Sequence, residues 1–351
     1  MRVLVTGHLG YIGTILTPML LRAGHEVVGL DSDLYERCTY GDPGAIAHVP
    51  VIRKDIRRVE REDLAGFDAV LHLAALSNDP LGNLNPELTM DINHRASVRL
   101  AELAKAVGVR RFVFSSSCSN YGASGDAMLD ESAAFNPVTP YGKSKVAVER
   151  DVVPMASDAF TPVMLRSATA YGVSPRLRFD LVLNNLVAWA FTTGRVYLKS
   201  DGTPWRPIVH IEDIARAFKA VMEAPADAVH AKAFNVGRTD QNYQMRELAE
   251  IVAETVPGCR IEYAPDAAPD TRCYRVNCDA LPKAVPAFEP KWDARRGAQE
   301  IHDACKKIGL TLEAFEGVRF QRIAHIRHLI ETGVLDEHLF HAATAEAGSP
   351  A

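Results

Sequence analysis

The sequence has little that would suit a membrane or a nucleic acid. Its apolar stretches fall short of the roughly 20 residues that span a bilayer, and the opening "MRVLVTGHLG" carries no basic and apolar secretion signal. The formal net charge of -5 leaves no basic excess for a phosphate backbone. We therefore expect neither a membrane nor a nucleic acid as a partner.

The cysteines are few and scattered. They are Cys38, Cys118, Cys259, Cys273, Cys278 and Cys305. No Cys-x-x-Cys pair and no histidine-rich spacing occurs among them, so the pattern predicts neither a zinc site nor a disulfide framework. We expect a reducing, cytoplasmic location and no bound metal.

What the chain does have is enough apolar sequence for a large core. It has 351 residues, of which 47% are hydrophobic and 24% charged, so it can form one large or two smaller domains. Short β-branched runs alternate with helical patterns in the first half. The runs are RVLVT, EVVGLD, VIRKDI, DAVLHLAA, RRFVFSSS and TPVMLRSA. This alternation predicts a doubly wound α/β fold with a parallel sheet.

Two helices are clearly bounded between these strands. One extends from Tyr11 to Ala23 and the other from Pro86 to Val107, and a glycine follows each. Pro18 lies inside the first helix, where it removes a backbone donor, so we expect a kink there. After Gly172 the sequence becomes mostly helical, which indicates a smaller second domain.

A glycine-rich turn follows the first strand. In "TGHLGYIG", Gly7, Gly10 and Gly13 form a Gly-x-x-Gly-x-x-Gly pattern. Glycine there permits a tight turn and lets a pyrophosphate approach the N-terminus of the next helix, where free N–H groups favour an anion. Asp31 ends the second strand, where its carboxylate can bind both ribose hydroxyls and repel a 2′-phosphate. The pattern predicts NAD rather than NADP, and a loop cap is the alternative for Asp31.

A tyrosine and a lysine share one face of a later helix, "PYGKSKVAVER". A tyrosine with its usual pKa of about 10 needs a nearby cation to act as a base near neutrality. Lys145 follows Tyr141 by one turn and can supply that charge. "FVFSSSCSNYG" provides serines at a strand end, and we place Ser117 beside Tyr141. The alternative is an ordinary solvated helix start.

Taken together, these motifs resemble the extended short-chain dehydrogenase/reductases, and are most similar to their nucleotide-sugar epimerase and dehydratase branch. The resemblance runs from Met1 to roughly Asn277. It implies a Rossmann-type, NAD-binding domain from residues 1–172 and 203–240. A nucleotide-sugar-binding domain would comprise residues 173–202 and 241–351.

The resemblance also implies roles for individual residues. Ser117 and Tyr141 would transfer protons, Lys145 would also bind the nicotinamide ribose, and Asn93 would organise the site. The implied cofactor-binding residues are Gly7, Gly10, Tyr11, Ile12, Gly13, Asp31, Asp55, Ile56, Leu73, Ala74, Ala75, Asn93, Tyr141 and Lys145. The implied substrate-binding residues are Ser117, Cys118, Ser119, Thr169, Arg178, Asn185, Arg206, Asp270 and Arg272.

The chain departs from the family's patterns at informative positions. Dehydratases carry an Asp-Glu pair directly after the catalytic serine or threonine, whereas Cys118 and Ser119 stand here. Without a second acid or base, the simplest outcome is epimerisation at C4. A 4-keto-sugar reductase, a C3 or C5 epimerase that uses Cys118, and a non-catalytic NAD-binding protein are the alternatives. A buried, inert thiol is the other interpretation of Cys118.

The substrate is expected to be a nucleotide sugar, with UDP favoured. The "PRLRFD" run resembles that of UDP-glucuronate 4-epimerases, in which the second arginine, here Arg178, contacts the sugar carboxylate. Both a hexose and a hexuronate therefore remain open. The resemblance further implies a homodimer through the helices at Pro86–Val107 and Tyr141–Ser157, although these helices could instead only cover the sheet.

Overall fold

The computed structural model describes residues 1–268 and 273–342. The strands are β1 (Arg2–Thr6), β2 (Glu26–Asp31), β3 (Val51–Arg53), β4 (Ala69–His72), β5 (Arg111–Ser117), β6 (Ala123–Leu129), β7 (Thr161–Ser167), β8 (Thr169–Tyr171), β9 (Arg195–Ser200), β10 (Trp205–His210), β11 (Ala233–Val236), β12 (Asn242–Gln244), β13 (Arg260–Ala268) and β14 (Cys273–Val276).

The helices lie between these strands and after them. They are α1 (Gly13–Arg22), α2 (Asp79–Leu84), α3 (Pro86–Met90), α4 (Ala96–Ala106), α5 (Pro140–Val152), α6 (Val182–Thr193), α7 (Ile211–Glu223), α8 (Ala226–Val229), α9 (Met245–Thr255), α10 (Ala280–Ala284), α11 (Ala294–Ile308), α12 (Leu312–Glu316) and α13 (Arg322–Glu331). A π-helical turn, Asp91–Arg95, joins α3 to α4.

Seven of the described strands form one parallel sheet in the order β11-β7-β5-β4-β1-β2-β3. The predicted doubly wound α/β fold is therefore confirmed. The chain builds outward from β1 to β3, then returns to β4 on the other side of β1. A ligand crevice is expected at the carboxyl ends of the strands at this reversal.

Alternation along each strand fills a core on both faces of the sheet. Val3 and Val5 pack on one face with Leu16 and Phe218, whereas Leu4 packs on the other face with Phe112. Successive side chains of a strand point to opposite faces. Continuous apolar runs such as "RVLVT" are thus explained by burial on both sides.

The two predicted helices differ from the structure in detail. α1 begins at Gly13 rather than at Tyr11, because the residues before it form the glycine turn. Pro18 does lie inside α1. The predicted helix from Pro86 to Val107 is divided by the π-helical turn, which inserts an extra residue into one helical turn.

A further core lies beyond the sheet, between α6, α9 and α11. This part is helical, as predicted. Later residues nevertheless return to the sheet, since Leu281 and Phe288 pack on one of its faces and Ile326 and Leu329 on the other. The exact domain boundaries stay a prediction. Across residues 1–268 and 273–342, no helix has the length and apolarity needed to cross a bilayer.

Candidate active site

A cavity of about 830 Å³ opens at the carboxyl ends of the central strands. Most of the residues singled out in the sequence line it. They are Gly7, Gly10, Tyr11, Ile12, Gly13, Asp31, Asp55, Ile56, Leu73, Ala74, Ala75, Ser117, Ser119, Tyr141, Lys145, Thr169, Arg178, Asn185 and Arg206. Asp270 and Arg272 lie outside the described residues.

The glycine turn is packed too closely for side chains. Gly7 has a φ of 73°, in the left-handed region, and a Cβ there would lie 2.8 Å from the backbone nitrogen of Ala74. A Cβ on Gly13 would lie 2.4 Å from the Gly7 carbonyl oxygen. The bare backbone at the start of α1 therefore faces the cavity, which is the arrangement that a pyrophosphate needs.

Asp31 is held beside this turn by backbone donors. Leu9 N–H donates to its Oδ2 at 2.9 Å and Asp33 N–H to its Oδ1 at 2.8 Å. His8 Nδ1 lies 3.8 Å from Oδ2, but burial lowers the pKa of His8 to about 4. The imidazole is thus neutral near pH 7 and adds no positive charge beside Asp31, whose own pKa is raised by burial.

Two arginines near this strand end pair with one carboxylate, and an ion pair was one of the interpretations open for Arg176. Arg176 contacts Asp33 at 3.1 Å, and Arg53 contacts the same carboxylate at 3.4 Å. Both cations are therefore paired with Asp33. The negative Asp31 and these paired arginines suit two ribose hydroxyls better than a 2′-phosphate.

Lys145 reaches from α5 to the end of β5. Thr139 caps α5 by accepting a hydrogen bond from Gly142 N–H, and Pro140 occupies the first turn. Lys145 Nζ donates to the Ser115 carbonyl at 2.7 Å and lies 5.6 Å from the centre of the Tyr141 ring. Burial lowers the pKa of this ammonium to about 7.

Tyr141 and two serines form a polar cluster on the cavity wall. Burial raises the pKa of Tyr141 to about 12, while a hydrogen bond with Ser117 acts to lower this pKa and the charge of Asp79 to raise it. Ser117 Oγ also donates to Ser119 Oγ at 3.0 Å and accepts from Ser119 N–H at 3.1 Å. The predicted serine, tyrosine and lysine are thus brought together.

Cys118 lies elsewhere, which corrects its prediction as a substrate contact. Its side chain is fully buried against Tyr121, Tyr274 and Cys278. Its Sγ donates to the Arg166 carbonyl at 3.1 Å, and burial raises the pKa of the thiol well above its ordinary value. The backbone after Ser117 turns through a single 3-10 turn, so adjacent side chains point to opposite sides of the wall.

Beneath this wall lies a charged network that the sequence did not reveal. Glu149 pairs with Arg166 at 2.7 Å and accepts hydrogen bonds from Ser116 and Asn120. Both charged side chains are less than 10% exposed. The network fixes the strand end and the following turn, and thereby the position of Ser117.

Asn93 also acts from behind the wall, which corrects its prediction as a direct cofactor contact. It is fully buried in the π-helical turn. Its amide accepts from Leu76 N–H at 2.8 Å and donates to the Leu76 carbonyl at 3.0 Å and to Ser144 Oγ at 3.2 Å. It therefore joins the loop after β4 to α5, as expected of an organising residue.

Arg178 lines the cavity but already has an anionic partner. Its Nε and Nη2 contact the two oxygens of Asp180 at 3.0 and 2.6 Å, and Nη1 donates to Ser77 Oγ at 3.0 Å. Asn78 donates to the same carboxylate. The positive charge that was expected to meet a sugar carboxylate is thus neutralised within the protein.

The remaining described residues that were predicted to bind the substrate also line the cavity. Thr169 lies in β8 and Arg206 in the neighbouring β10. Arg206 Nη1 donates to the Trp205 carbonyl at 2.8 Å, and Asn185 donates to the Phe179 carbonyl at 2.8 Å. All three side chains border the cavity, and their role in substrate binding stays a prediction.

Several residues that border the cavity were missed from the sequence, and three of them matter for the chemistry. Asp79 accepts a hydrogen bond from Thr139 at 2.7 Å, Tyr274 comes from β14, and Arg322 comes from α13. Asp79 follows the predicted strand "DAVLHLAA" closely enough for the strand-end rule to have indicated it. For Arg322 there was no signal, because its segment is distant in the chain.

The donors present fit NAD. The glycine turn offers backbone N–H groups for the pyrophosphate, Asp31 offers a carboxylate for a ribose, and Lys145 lies deep in the cavity. Ser167 Oγ is buried at the end of β7 without a partner among the described residues. Within residues 1–268 and 273–342, no group of three His, Cys, Asp or Glu side chains could hold a metal ion.

Sequence comparisons also indicate a family that uses NAD, which agrees with the donors found in the cavity. A family model described as "NAD dependent epimerase/dehydratase family" matches residues 3–237. UDP-glucose 4-epimerase of Bacillus subtilis (strain 168) is 27% identical over 331 residues, which cover 86% of this chain and 94% of that protein. UDP-glucose 4-epimerase of Streptomyces lividans is 39% identical over 152 residues, and this match covers 42% of this chain and only 45% of that protein.

Comparison with solved structures leads to the same family. The chain matches MoeE5 in complex with UDP-glucuronic acid and NAD with a TM-score of 0.75 and 26% identity, over 88% of this chain and 100% of that chain. MoeE5 in complex with UDP-glucose and NAD gives a TM-score of 0.74 and 27% identity over the same shares. The family model covers more than half of the chain, and its cofactor is the one that the cavity fits. The chain therefore belongs to the NAD-dependent epimerase/dehydratase family.

Proposed function

We propose that this protein interconverts the C4 epimers of a UDP-hexose, with NAD retained throughout the reaction. The observation that carries this proposal is the convergence of Ser117, Tyr141 and Lys145 on one wall of the cavity, while the residue directly after Ser117 faces the core. A buried thiol, Cys118, and a serine hydroxyl, Ser119, therefore occupy the positions at which dehydratases carry acids. Transient oxidation followed by reduction from the other face needs no further acid or base.

The protein's own groups supply the proton chemistry. Tyr141 accepts the proton of the C4 hydroxyl, and Ser117 holds that hydroxyl by a hydrogen bond. Lys145 stabilises the phenolate from 5.6 Å, measured from its ammonium to the ring centre. Bound NAD supplies the hydride acceptor and donor. On the return step, the proton moves from Tyr141 back to the sugar oxygen.

The wall that carries Asn185 and Arg206 is proposed to bind the diphosphate. A guanidinium suits phosphate oxygens because of its planar fork of donors. Arg206 is 9% exposed and borders the cavity. The UDP carrier is proposed from the names of the relatives and from the ligands of MoeE5, which include UDP-glucose.

A neutral hexose is proposed ahead of a hexuronate. A substrate carboxylate at Arg178 would meet Asp180, which lies 2.6 Å from the guanidinium and carries the same charge as the substrate. Like charges at a shared site repel, and both groups would lose water. A hexose hydroxyl, in contrast, can donate to Asp180 without this cost.

A second function, epimerisation at C3 or C5, is favoured by one observation. Asp79 is a carboxylate in the cavity whose charge acts on Tyr141. Such a group could take a proton from a carbon next to a 4-keto group. The burial of Cys118 in the core argues against the alternative in which its thiol has this role.

The protein is also proposed to form a homodimer through α4 and α5. These helices pack side by side, and His94, in the π-helical turn before α4, contacts Asp151 of α5 at 2.6 Å. The mass from sedimentation equilibrium checks this, because a dimer predicts twice the mass of one chain. A single-chain mass at every concentration would contradict it.

The function is tested by incubating the purified protein with UDP-galactose and following the products by NMR. UDP-glucose should appear up to equilibrium without added NAD, and Tyr141→Phe should lower kcat by about 10³-fold because it removes the proton acceptor. NAD bound by this variant should equal that of the wild type. Formation of a 4-keto or dehydrated sugar, or equal turnover by Tyr141→Phe, would contradict the proposal.

A further inference from the structure

The C-terminal segment 318–342, called the strap below, lies across the loops that follow β2 and β3. His325 Nε2 contacts the Leu34 carbonyl oxygen at 3.0 Å, and His341 Nε2 contacts that of Ser32 at 2.9 Å. Arg57 donates to the His338 carbonyl at 3.0 Å. The strap lies beyond residue 237, where the match to the family model ends.

Apolar contacts hold the strap in place. Leu339 is 2% exposed, borders the cavity and packs in the same core as Leu30 and Ile56. The guanidinium carbon of Arg57 lies 3.8 Å from the centre of the Phe340 ring. The strap is therefore joined to the strand ends that carry Asp31 and Asp55, which are the predicted contacts of the adenosine half of NAD.

Arg322 extends from the strap into the cavity. It is 2% exposed and borders the cavity. Its Nη2 donates to the Arg176 carbonyl at 2.9 Å, and its guanidinium lies 4.1 Å from the centre of the Tyr35 ring. Its Nη1 is buried without a hydrogen-bond partner among the described residues.

A buried guanidinium with an unused donor is costly unless an anion meets it. Asp180, an acid of the cavity wall whose charge acts on Arg322, is already paired with Arg178, and the neighbouring Cys38 thiol is only a weak acceptor. Arg322 therefore offers a charge and a free donor to a ligand. A diphosphate is the anionic group that both NAD and a UDP-sugar carry.

We propose that Arg322 binds the diphosphate of NAD and that the strap thereby retains the cofactor between turnovers. The position of the guanidinium favours the diphosphate of NAD over that of the UDP-sugar. It stacks on Tyr35, four residues after Asp31, and bonds the carbonyl of Arg176, whose side chain pairs with Asp33. Tyr35 and Asp33 adjoin Asp31, the predicted contact of the adenosine ribose, and this favours NAD over the UDP-sugar as the source of the diphosphate. The proposal does not depend on which sugar is epimerised.

The test compares NAD binding by the wild type and Arg322→Met, which keeps the length of the side chain but removes the charge. The protein is desalted first and then denatured, and the NAD that it releases is measured. The rate of NAD release from the native protein is followed by fluorescence. We expect release to be at least about tenfold faster, because a charge-assisted hydrogen bond is lost. The dissociation constant for UDP should stay within about threefold of the wild type, below the tenfold that a lost ionic contact costs. Arg327→Met, an exposed arginine on the same helix, is the matched control and should release NAD at the wild-type rate.

Two outcomes would overturn the proposal. Wild-type NAD release by Arg322→Met would show that the side chain serves packing alone, and weaker UDP binding with unchanged NAD release would assign Arg322 to the substrate. If Arg322→Met fails to fold, NAD release by Arg322→Lys tests the proposal instead. It keeps the charge and loses the fork, so we expect release several-fold faster than in the wild type, and an unchanged rate would contradict the proposal. UDP-hexose turnover is measured separately, so a failure of the proposed reaction can be distinguished from a failure of the proposed role of Arg322.

Discussion

At the scale of single residues, the groups around Tyr141 determine when its phenol can act as a base. Burial, with a smaller contribution from the charge of Asp79, raises the pKa of Tyr141 to about 12. Lys145, in contrast, is a cation whose pKa burial lowers to about 7. The protein alone thus holds both groups closer to their neutral forms, and the positive nicotinamide of bound NAD would favour the phenolate.

Asp79→Asn should shift the pH dependence of kcat/KM. Removing the negative charge lowers the pKa of Tyr141, so the rise of activity with pH should occur at lower pH than in the wild type. Asp130→Asn, an exposed acid bonded to Ser132, is the control and should leave the profile unchanged. Loss of turnover by Asp79→Asn at every pH, with UDP and NAD still bound, would instead favour a direct acid or base role.

Asp180→Asn should change the choice of sugar. The substitution frees the charge of Arg178, so kcat/KM for UDP-glucuronate relative to UDP-glucose should rise about tenfold, or about 1.4 kcal/mol. Ser77→Ala removes the other hydrogen bond of Arg178 and should leave this ratio nearly constant. A ratio that does not respond to Asp180→Asn would contradict the proposed preference for a neutral hexose.

The site residues that the sequence predicted correctly each lie within a short, local motif. Tyr141 and Lys145 share one helix face, and the glycine turn and Asp31 follow directly from adjacent strands. Asp180 and Arg322 could not be placed in this way, because their roles depend on contacts between distant segments. Cys118 was misplaced for a similar reason: adjacent positions in a tight turn face opposite ways, and a sequence does not show which one faces the ligand.

At the scale of elements, the π-helical turn between α3 and α4 places a buried amide where a regular helix would not. Such turns are rare and are found frequently at functional sites. Here the turn directs Asn93 toward both the loop after β4 and α5. The sequence predicted one uninterrupted helix from Pro86 to Val107, because an inserted residue barely alters the apolar period over so short a segment.

Asn93→Ala should therefore destabilise the protein and slow turnover together. It leaves the N–H and carbonyl of Leu76 buried without their partner, at a cost of about 3 kcal/mol in the free energy of unfolding. Urea titration measures this change. Asn136→Ala, which removes one exposed hydrogen bond to the Ala123 carbonyl, should cost less than about 1 kcal/mol. Equal losses in the two variants would count against the organising role.

At the scale of the whole molecule, the sheet is the feature that the sequence predicted best. The packing of the C-terminal segments against the sheet was not predicted. Alternating strands and helices predicted the parallel sheet, but β11 was missed because "AFNV" is short and follows a long helical region. The last helix was predicted to belong to the substrate domain, which stays a prediction, and its Ile326 and Leu329 pack in the core on one face of the sheet. Chain order alone carries no information about such a return.

His8 and His72 should each reduce the stability of the protein as the pH is lowered from 6.5 toward 4, whereas the raised carboxyl pKa values of Asp31, Asp33 and Glu131 act in the opposite direction. Burial lowers the pKa of His8 to about 4 and that of His72 to about 3, so the unfolded chain binds protons that the folded chain does not. Each histidine then reduces the free energy of unfolding by about 1.4 kcal/mol per pH unit in this window. Urea titrations at several pH values measure the slope. An unchanged slope in His72→Gln would contradict this account.

The central claim is that Tyr141 and its neighbours allow a hydrogen to leave C4 and return to the same carbon on the opposite face. The most direct measurement uses UDP-galactose with deuterium at C4, the protein without added NAD, and NMR of the products. The account predicts UDP-glucose that retains deuterium at C4, with no solvent hydrogen at C3 or C5 and no accumulation of NADH absorbance. Loss of the deuterium to solvent, or exchange at C3 or C5, would contradict it and would favour the reaction through Asp79.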